Sequence, residues 1–523
     1  MSGKTFSAAL PVLVAIAGLT AYGAAQAPSA PPSSTSTLRQ VGYIKASNPA
    51  ADAHFGCGGT LSGHAGNAAA ISQDGNTMAI GAPHESSGAK GINGNQNDRS
   101  VYGSGAVYVF TRKGDTWVQQ AYVKASAPGE GANFGSTVAL SSDGNTMAVA
   151  AYYEASAATG VNGNQNDRSI PQAGAAYVFT RSGNAWSQQA YIKASNTGKA
   201  GVGEDFGDGD QFGYSMALSA DGNTLAVAAM SEDSAATGIN GNQADDSASG
   251  SGAAYVFARN GRIWSQQAYV KSSITGANAL FGYSIGLSAN GDTLAVSEYD
   301  ADRGKGALYV LTRSGSTWAH QARLQASNAE RGDSLGYSLA ISEDGNTIAA
   351  GAADEDCMTP GVNPTGCDHD QPLDNSSGAT YVFVRNGSTW AQQAFIKASN
   401  PGKEDWFGVR IGISGDGDTL AVGAQNEDSA AKSINGNQAD NSAPEAGAVY
   451  LFTRNGITWT QQAYVKGSNT EASDEFGSSI ALSRDGRTML VGARGEDSGA
   501  KGVNGNQADN SVRYAGAAYI FVR

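Results

Sequence analysis

Three cysteines in 523 residues are too few for a disulfide framework, so a hydrophobic core rather than covalent staples must hold this fold. Charge is scarce at 15% of residues, and bases are the minority, 33 against 47 acids. A net charge of −14 argues against nucleic acid and anionic lipid as partners, because both are held by clustered Lys and Arg. Beyond the amino-terminal leader no apolar run approaches the ~20 residues of a membrane helix, so no span is expected. Glycine is abundant, at 70 residues. Some of it falls in recurring Asp-Gly and Asn-Gly pairs, which suit tight hairpin turns.

The leader itself, residues 1–27, combines Lys4, the run ALPVLVAIAGL and the small-residue ending Ala25-Gln26-Ala27. That is the pattern of a cleaved secretory signal peptide. Residues 28–37, PSAPPSSTST, have the Pro and Ser content of a flexible linker. Export to the periplasm, cell surface or medium is expected. In such an oxidising compartment Cys357 and Cys367, ten residues apart, are expected to pair, leaving Cys57 as a buried small residue or stray thiol.

From Phe55 onward one unit recurs seven times. It reads FGYSMALSADGNTLAVAA, then a polar loop, then GAAYVFARNGRIWSQQAYVKSS between Phe212 and Ser273. The last copy stops at AGAAYIFVR without its W-x-Q-Q segment, and the end of such a segment, VGYIKASN, stands upstream at Val41–Asn48. A linear array has no use for that displacement, whereas a closed ring is spliced by it. The reading is all-β: a seven-bladed β-propeller over residues 38–523, with four-stranded antiparallel blades and an amino-terminal strand completing the last one.

Within a unit, S-x-D-G-N-T marks a hairpin between strands one and two, and strands two and three (TLAVGA, GAAYVF) are apolar on both faces, as stacked blades require. Six of the seven tryptophans open strand four. The same strand ends in Lys45, Lys124, Lys193, Lys271, Lys397 and Lys466, read here as charges that blunt an exposed sheet edge. Alternating strand directions place the two–three loops and the blade connections at one end of the ring, where function is expected.

The Phe-Gly opener and Gly81-Ala82-Pro83 at the end of strand two resemble the FG-GAP repeat of the integrin α-subunit propeller and its bacterial relatives. The resemblance implies extracellular binding or adhesion. The calcium hairpins of those relatives, D-x-D-x-D-G-x-x-D, have no counterpart here, so their ligands are not carried over.

Several groups compete as sites. Five two–three loops carry N-G-N-Q-x-D, supplying Asn93, Asn95 and Asp98; Asn162, Asn164 and Asp167; Asn240, Asn242 and Asp245; Asn435, Asn437 and Asp440; Asn504, Asn506 and Asp509. These oxygens suit calcium, or equally the local turns that Asn-Gly and Asp form. The connection at Glu204, Asp205, Asp208 and Asp210 is a second calcium candidate, or a solvated acidic loop. Blade four has a short two–three loop beside the stapled, acidic loop of blade five. This asymmetry makes Asp300, Asp302, Arg303, Asp356, Asp368, His369 and Asp370 a candidate ligand notch. His54, His64, His84 and Cys57 crowd blade one without metal-ligand spacing.

No single catalytic constellation stands out, so a non-catalytic, monomeric binding or adhesion module for a glycan or protein is expected, requiring no cofactor and admitting calcium as a stabiliser. A secreted polysaccharide hydrolase or lyase, which needs only two suitably spaced carboxylates, is the alternative. A structural module of an envelope assembly is the third reading.

Overall fold

The computed structural model describes Met1 and residues 37–58, 66–198, 209–367 and 375–523. Two compact units divide the chain, Met1–Thr37 and Leu38–Arg523. The expected signal peptide and linker therefore lie outside the described residues, apart from Met1 and Thr37.

Residues 38–523 form seven four-stranded antiparallel sheets. Blade three shows the order, Phe212–Leu218, Thr224–Ala229, Ala253–Asn260 and Ile263–Val270 from first strand to fourth. The seventh blade takes three strands from the carboxyl end, Phe476–Leu482, Thr488–Ala493 and Ala517–Val522, and its fourth, Arg39–Ile44, from the amino end. Tyr43 lies opposite Tyr519 and Ile44 opposite Ala518 in that ladder. The ring is closed as the repeat phase requires. Among the described residues no helix is long and apolar enough to cross a membrane.

Apolar side chains gather between blades. One cluster joins Val107, Val109 and Val123 of blade one to Met147, Val149 and Phe179 of blade two, and each further seam has its own, round to Ile44, Leu490 and Ile520 against Met78 and Ile80. Strand two is buried along its whole length in every blade. Its unbroken apolar sequence follows from having a neighbouring blade on each face. The glycine of Phe-Gly has the same cause: Gly408 sits at φ 98° with no room for a Cβ, which would stand 2.2 Å from the carbonyl of Ala379 in the blade before.

The recurring W-x-Q-Q is a latch between blades. Trp264 Nε1 donates to Gln189 Oε1 of the preceding blade at 2.9 Å, and the Arg259 guanidinium lies 5.4 Å from the Trp264 ring. Trp186, Trp318, Trp390 and Trp459 repeat the contact with Gln120, Gln267, Gln321 and Gln393.

The strand-four lysines correct the sequence reading. Lys45, Lys124, Lys193, Lys271, Lys397 and Lys466 are wholly buried, each paired with the glutamate that opens its blade's two–three loop: Glu496, Glu85, Glu154, Glu232, Glu355 and Glu427. The reason is that the loop folds back along strand four. In blade three, Asn240 N donates to Tyr269 O at 2.7 Å and Lys271 N to Gly238 O at 2.8 Å, so at this end the edge is already paired.

Candidate functional site

The N-G-N-Q oxygens serve that folding back. Asn240, held at φ 56°, accepts through Oδ1 from Tyr269 N at 2.9 Å, and Asn93, Asn162, Asn435 and Asn504 do the same for Tyr122, Tyr191, Tyr464 and Tyr43. The second asparagine closes a local turn: Asn95, Asn164, Asn242, Asn437 and Asn506 each accept from the amide two residues on. The aspartates Asp98, Asp167, Asp245, Asp440 and Asp509 likewise accept a backbone amide two residues on. Among the described residues no group of three or more His, Cys, Asp or Glu is arranged to hold a metal ion.

Glu232 shows how such a glutamate is held. Glu232 accepts from Lys271 Nζ and Tyr269 Oη at 2.7 Å, from Asn196 Nδ2 at 2.9 Å and from Ser234 N at 3.2 Å. Asn196 belongs to the connection arriving from blade two, and its Oδ1 accepts from Tyr255 Oη at 2.6 Å. The motif K-A-S-N thus ties one blade into the next. Sequence reasoning missed this network, although a signal was present: blade four, which has Ala301 in place of the glutamate, also has Gln325 in place of the lysine.

Asp210 is buried and accepts from Gly198 N at 2.7 Å. Burial pushes its carboxyl up to about 8, against the hydrogen bond from Gly198. Glu204, Asp205 and Asp208 lie outside the described residues. Asp333, Asp405 and Asp474 hold the equivalent place in blades five, six and seven, each buried, each accepting one backbone amide.

The notch between blades four and five is partly engaged. Asp302 accepts from Arg323 at 2.7 Å and from Gln325 at 2.6 Å, and Asp356, buried, accepts from Ser376 N at 2.9 Å. Asp300 and Arg303 are exposed, while Asp368, His369 and Asp370 lie outside the described residues. The Cys357–Cys367 disulfide is present. Cys57 is buried, and burial pushes its thiol up. His54 and His84 meet edge to face, centroids 5.0 Å apart, and burial holds His54 down at about 3; His64 lies outside the described residues.

While the ion pairs and latches repeat, the residues at the axial mouth on the long-loop end differ in every blade. The residue before Phe-Gly has positive φ throughout, as His54, Asn133, Gln211, Leu280, Ser334, Trp406 and Glu475. Blades two to five close their sector with aromatics: Tyr152, Tyr214, Tyr283 and Tyr337 form one buried cluster with Met230 and Leu280. Blades six, seven and one leave a cavity of about 280 Å³, lined by His54, Trp406, Gln425, Asn426, Glu445, Glu475, Arg494 and Tyr514. The Arg494 guanidinium is ion-paired with Glu475 there, and the Tyr514 ring stacks on His54 at 5.8 Å. These residues come from separated places in three blades, so no local spacing announces them.

Seven blades around an axis, closed by a strand from the opposite terminus, define a seven-bladed β-propeller. A family model described as the FG-GAP repeat matches residues 390–452 and 459–521, so FG-GAP repeats are present in this propeller. Each match runs from strand four of one blade through strand three of the next, the same offset that ring closure exploits. No curated protein matches the chain. Among solved structures, a Bacteroides uniformis protein described as a candidate 6-phosphogluconolactonase is similar at 12% identity and a TM-score of 0.43, over 76% of this chain and 85% of its own.

Proposed function

We propose that this propeller is a secreted or surface-exposed, non-catalytic binding and adhesion module that recognises a glycan or a protein through its long-loop end. One observation supports the reading above others. Positions that build the ring are near-identical from blade to blade, whereas the residue before Phe-Gly runs His54, Asn133, Gln211, Leu280, Ser334, Trp406 and Glu475, and the residue after strand two runs Pro83, Tyr152, Met230, Tyr299, Ala353, Gln425 and Arg494. A scaffold alone gives no reason for that asymmetry, and loops on a rigid frame are where binding residues gather. The FG-GAP repeats and the disulfide fit an extracellular protein.

The test is a screen of the purified full chain on glycan and matrix-protein arrays, with and without calcium, beside an assay for polysaccharide turnover. Retention of a defined glycan or protein without turnover is expected. Turnover abolished by replacing Asp300 and Asp302 would establish an enzyme instead, and a chain that retains nothing and cleaves nothing would leave the envelope-scaffold reading.

A further inference from the structure

Resting on that binding reading, we propose that the cavity at the axial mouth of blades six, seven and one is a site for one neutral pyranose, the terminal sugar of a glycan. The volume of about 280 Å³ falls just below the ~300–1,000 Å³ of pockets that enclose drug-sized ligands. It suits a single ring better than an extended chain.

The lining selects the chemistry. Arg494 and Glu475 neutralise each other at the wall, their side chains 9% and 13% exposed, which leaves the exposed Glu445 as a negative group with no cation of its own among the described lining residues. Among the described lining residues the Arg494 guanidinium is committed to Glu475, so an anionic ligand gains little from it and is repelled by Glu445. Gln425 borders the cavity at 1% exposure, and its buried Nε2 has no acceptor among the described residues. An ammonium ligand carries donors only and an apolar ligand carries neither, so both leave that N–H unmet. Sugar hydroxyls accept and donate: one can accept a hydrogen bond from Gln425 Nε2 after a small rotation of that amide, and another can donate to the Glu445 carboxylate. Trp406 adds an aromatic wall, which suits the apolar C–H face of a sugar.

The backbone presents these groups at a cost. The residue two before the Gly of strand three has positive φ in every blade and is glycine in blades one, three and four, Gly103, Gly250 and Gly304. In the other four it carries a side chain, as Gln172 at φ 58°, Ser376 at φ 38°, Glu445 at φ 55° and Tyr514 at φ 50°, conformations disfavoured for residues with a Cβ. Of these four, Glu445 and Tyr514 line the cavity.

The experiment titrates the full chain with D-glucose, D-galactose, D-mannose, L-fucose and N-acetyl-D-glucosamine, by calorimetry and saturation-transfer NMR, alongside the arrays. At least one sugar is expected to saturate at millimolar concentration or below. Gln425→Leu, close in volume, should weaken it at least tenfold without lowering the melting temperature. Glu445→Ala, at an exposed position, should weaken it similarly, and Asp115→Ala at the opposite end should change nothing. Binding that survives both cavity variants would overturn this site while leaving glycan recognition elsewhere intact. A chain that captures a protein on the array but none of the sugars would overturn the sugar assignment and leave the binding module standing.

Discussion

Lys271 Nζ stands 2.7 Å from Glu232 Oε2, and neither side chain reaches solvent. Burial presses the lysine down from its ordinary value and the glutamate presses it back up. Breaking such a pair leaves one buried charge without a partner, at a cost of ~3–5 kcal/mol. Lys271→Met alone is therefore expected to cost about that much in urea unfolding. The double variant Lys271→Gln with Glu232→Ala, copying blade four, should cost less than the sum of the singles, as a double-mutant cycle will report.

The aspartates beside these pairs set the pH dependence. Burial raises Asp210 and Asp474 to about 8 and Asp333 and Asp405 to about 7, against an unfolded value of ~3.9. The native ring therefore holds these protons where the unfolded chain has lost them. The stabilisation is complete below ~4 and disappears as pH rises through the folded values. Melting temperature should fall between pH 5 and about 8, and Asp210→Asn, Asp405→Asn and Asp474→Asn combined should flatten that fall.

Closure by Arg39–Ile44 is the next test. Removing residues 1–48 strips the ladder from Ala517–Val522 and takes Lys45 and Tyr43 from the buried Glu496. The truncated chain is expected to lose its single cooperative melt, and a peptide of residues 38–48 added in trans should restore it, as followed by near-ultraviolet circular dichroism.

The N-G-N-Q oxygens accept backbone amides, so the loops have hydrogen bonds of their own to hold their turns. Chelator should leave the melting temperature unchanged. A drop reversed by calcium would assign the loops or the acidic connection at Glu204–Asp210 as metal sites.

Much of the frame was legible in the chain itself. Phe-Gly, Asp-Gly and W-x-Q-Q recur at fixed spacing because each marks a backbone crossing, a hairpin or a latch that every blade must make, so period, strand count and closure follow from local patterns. The lysines were misread for a physical reason: charge at the end of an outermost strand signals an exposed edge, and only the return of the two–three loop buries it. Their loss together with glutamate in blade four, at Gln325 and Ala301, is the trace of that contact in the sequence.

What the residues determined alone is a ring of seven sheets, since hydrophobic alternation and turn chemistry act between near neighbours. What the tertiary structure decided is which side chains meet: Lys271 with Glu232 inside one blade, Trp264 with Gln189 of the blade before, and Gln425, Glu445 and Trp406 of blade six around one cavity with residues of blades seven and one. The ion pair depends on the return of the two–three loop along strand four, and the latch and the cavity depend on the packing of successive blades in the closed ring.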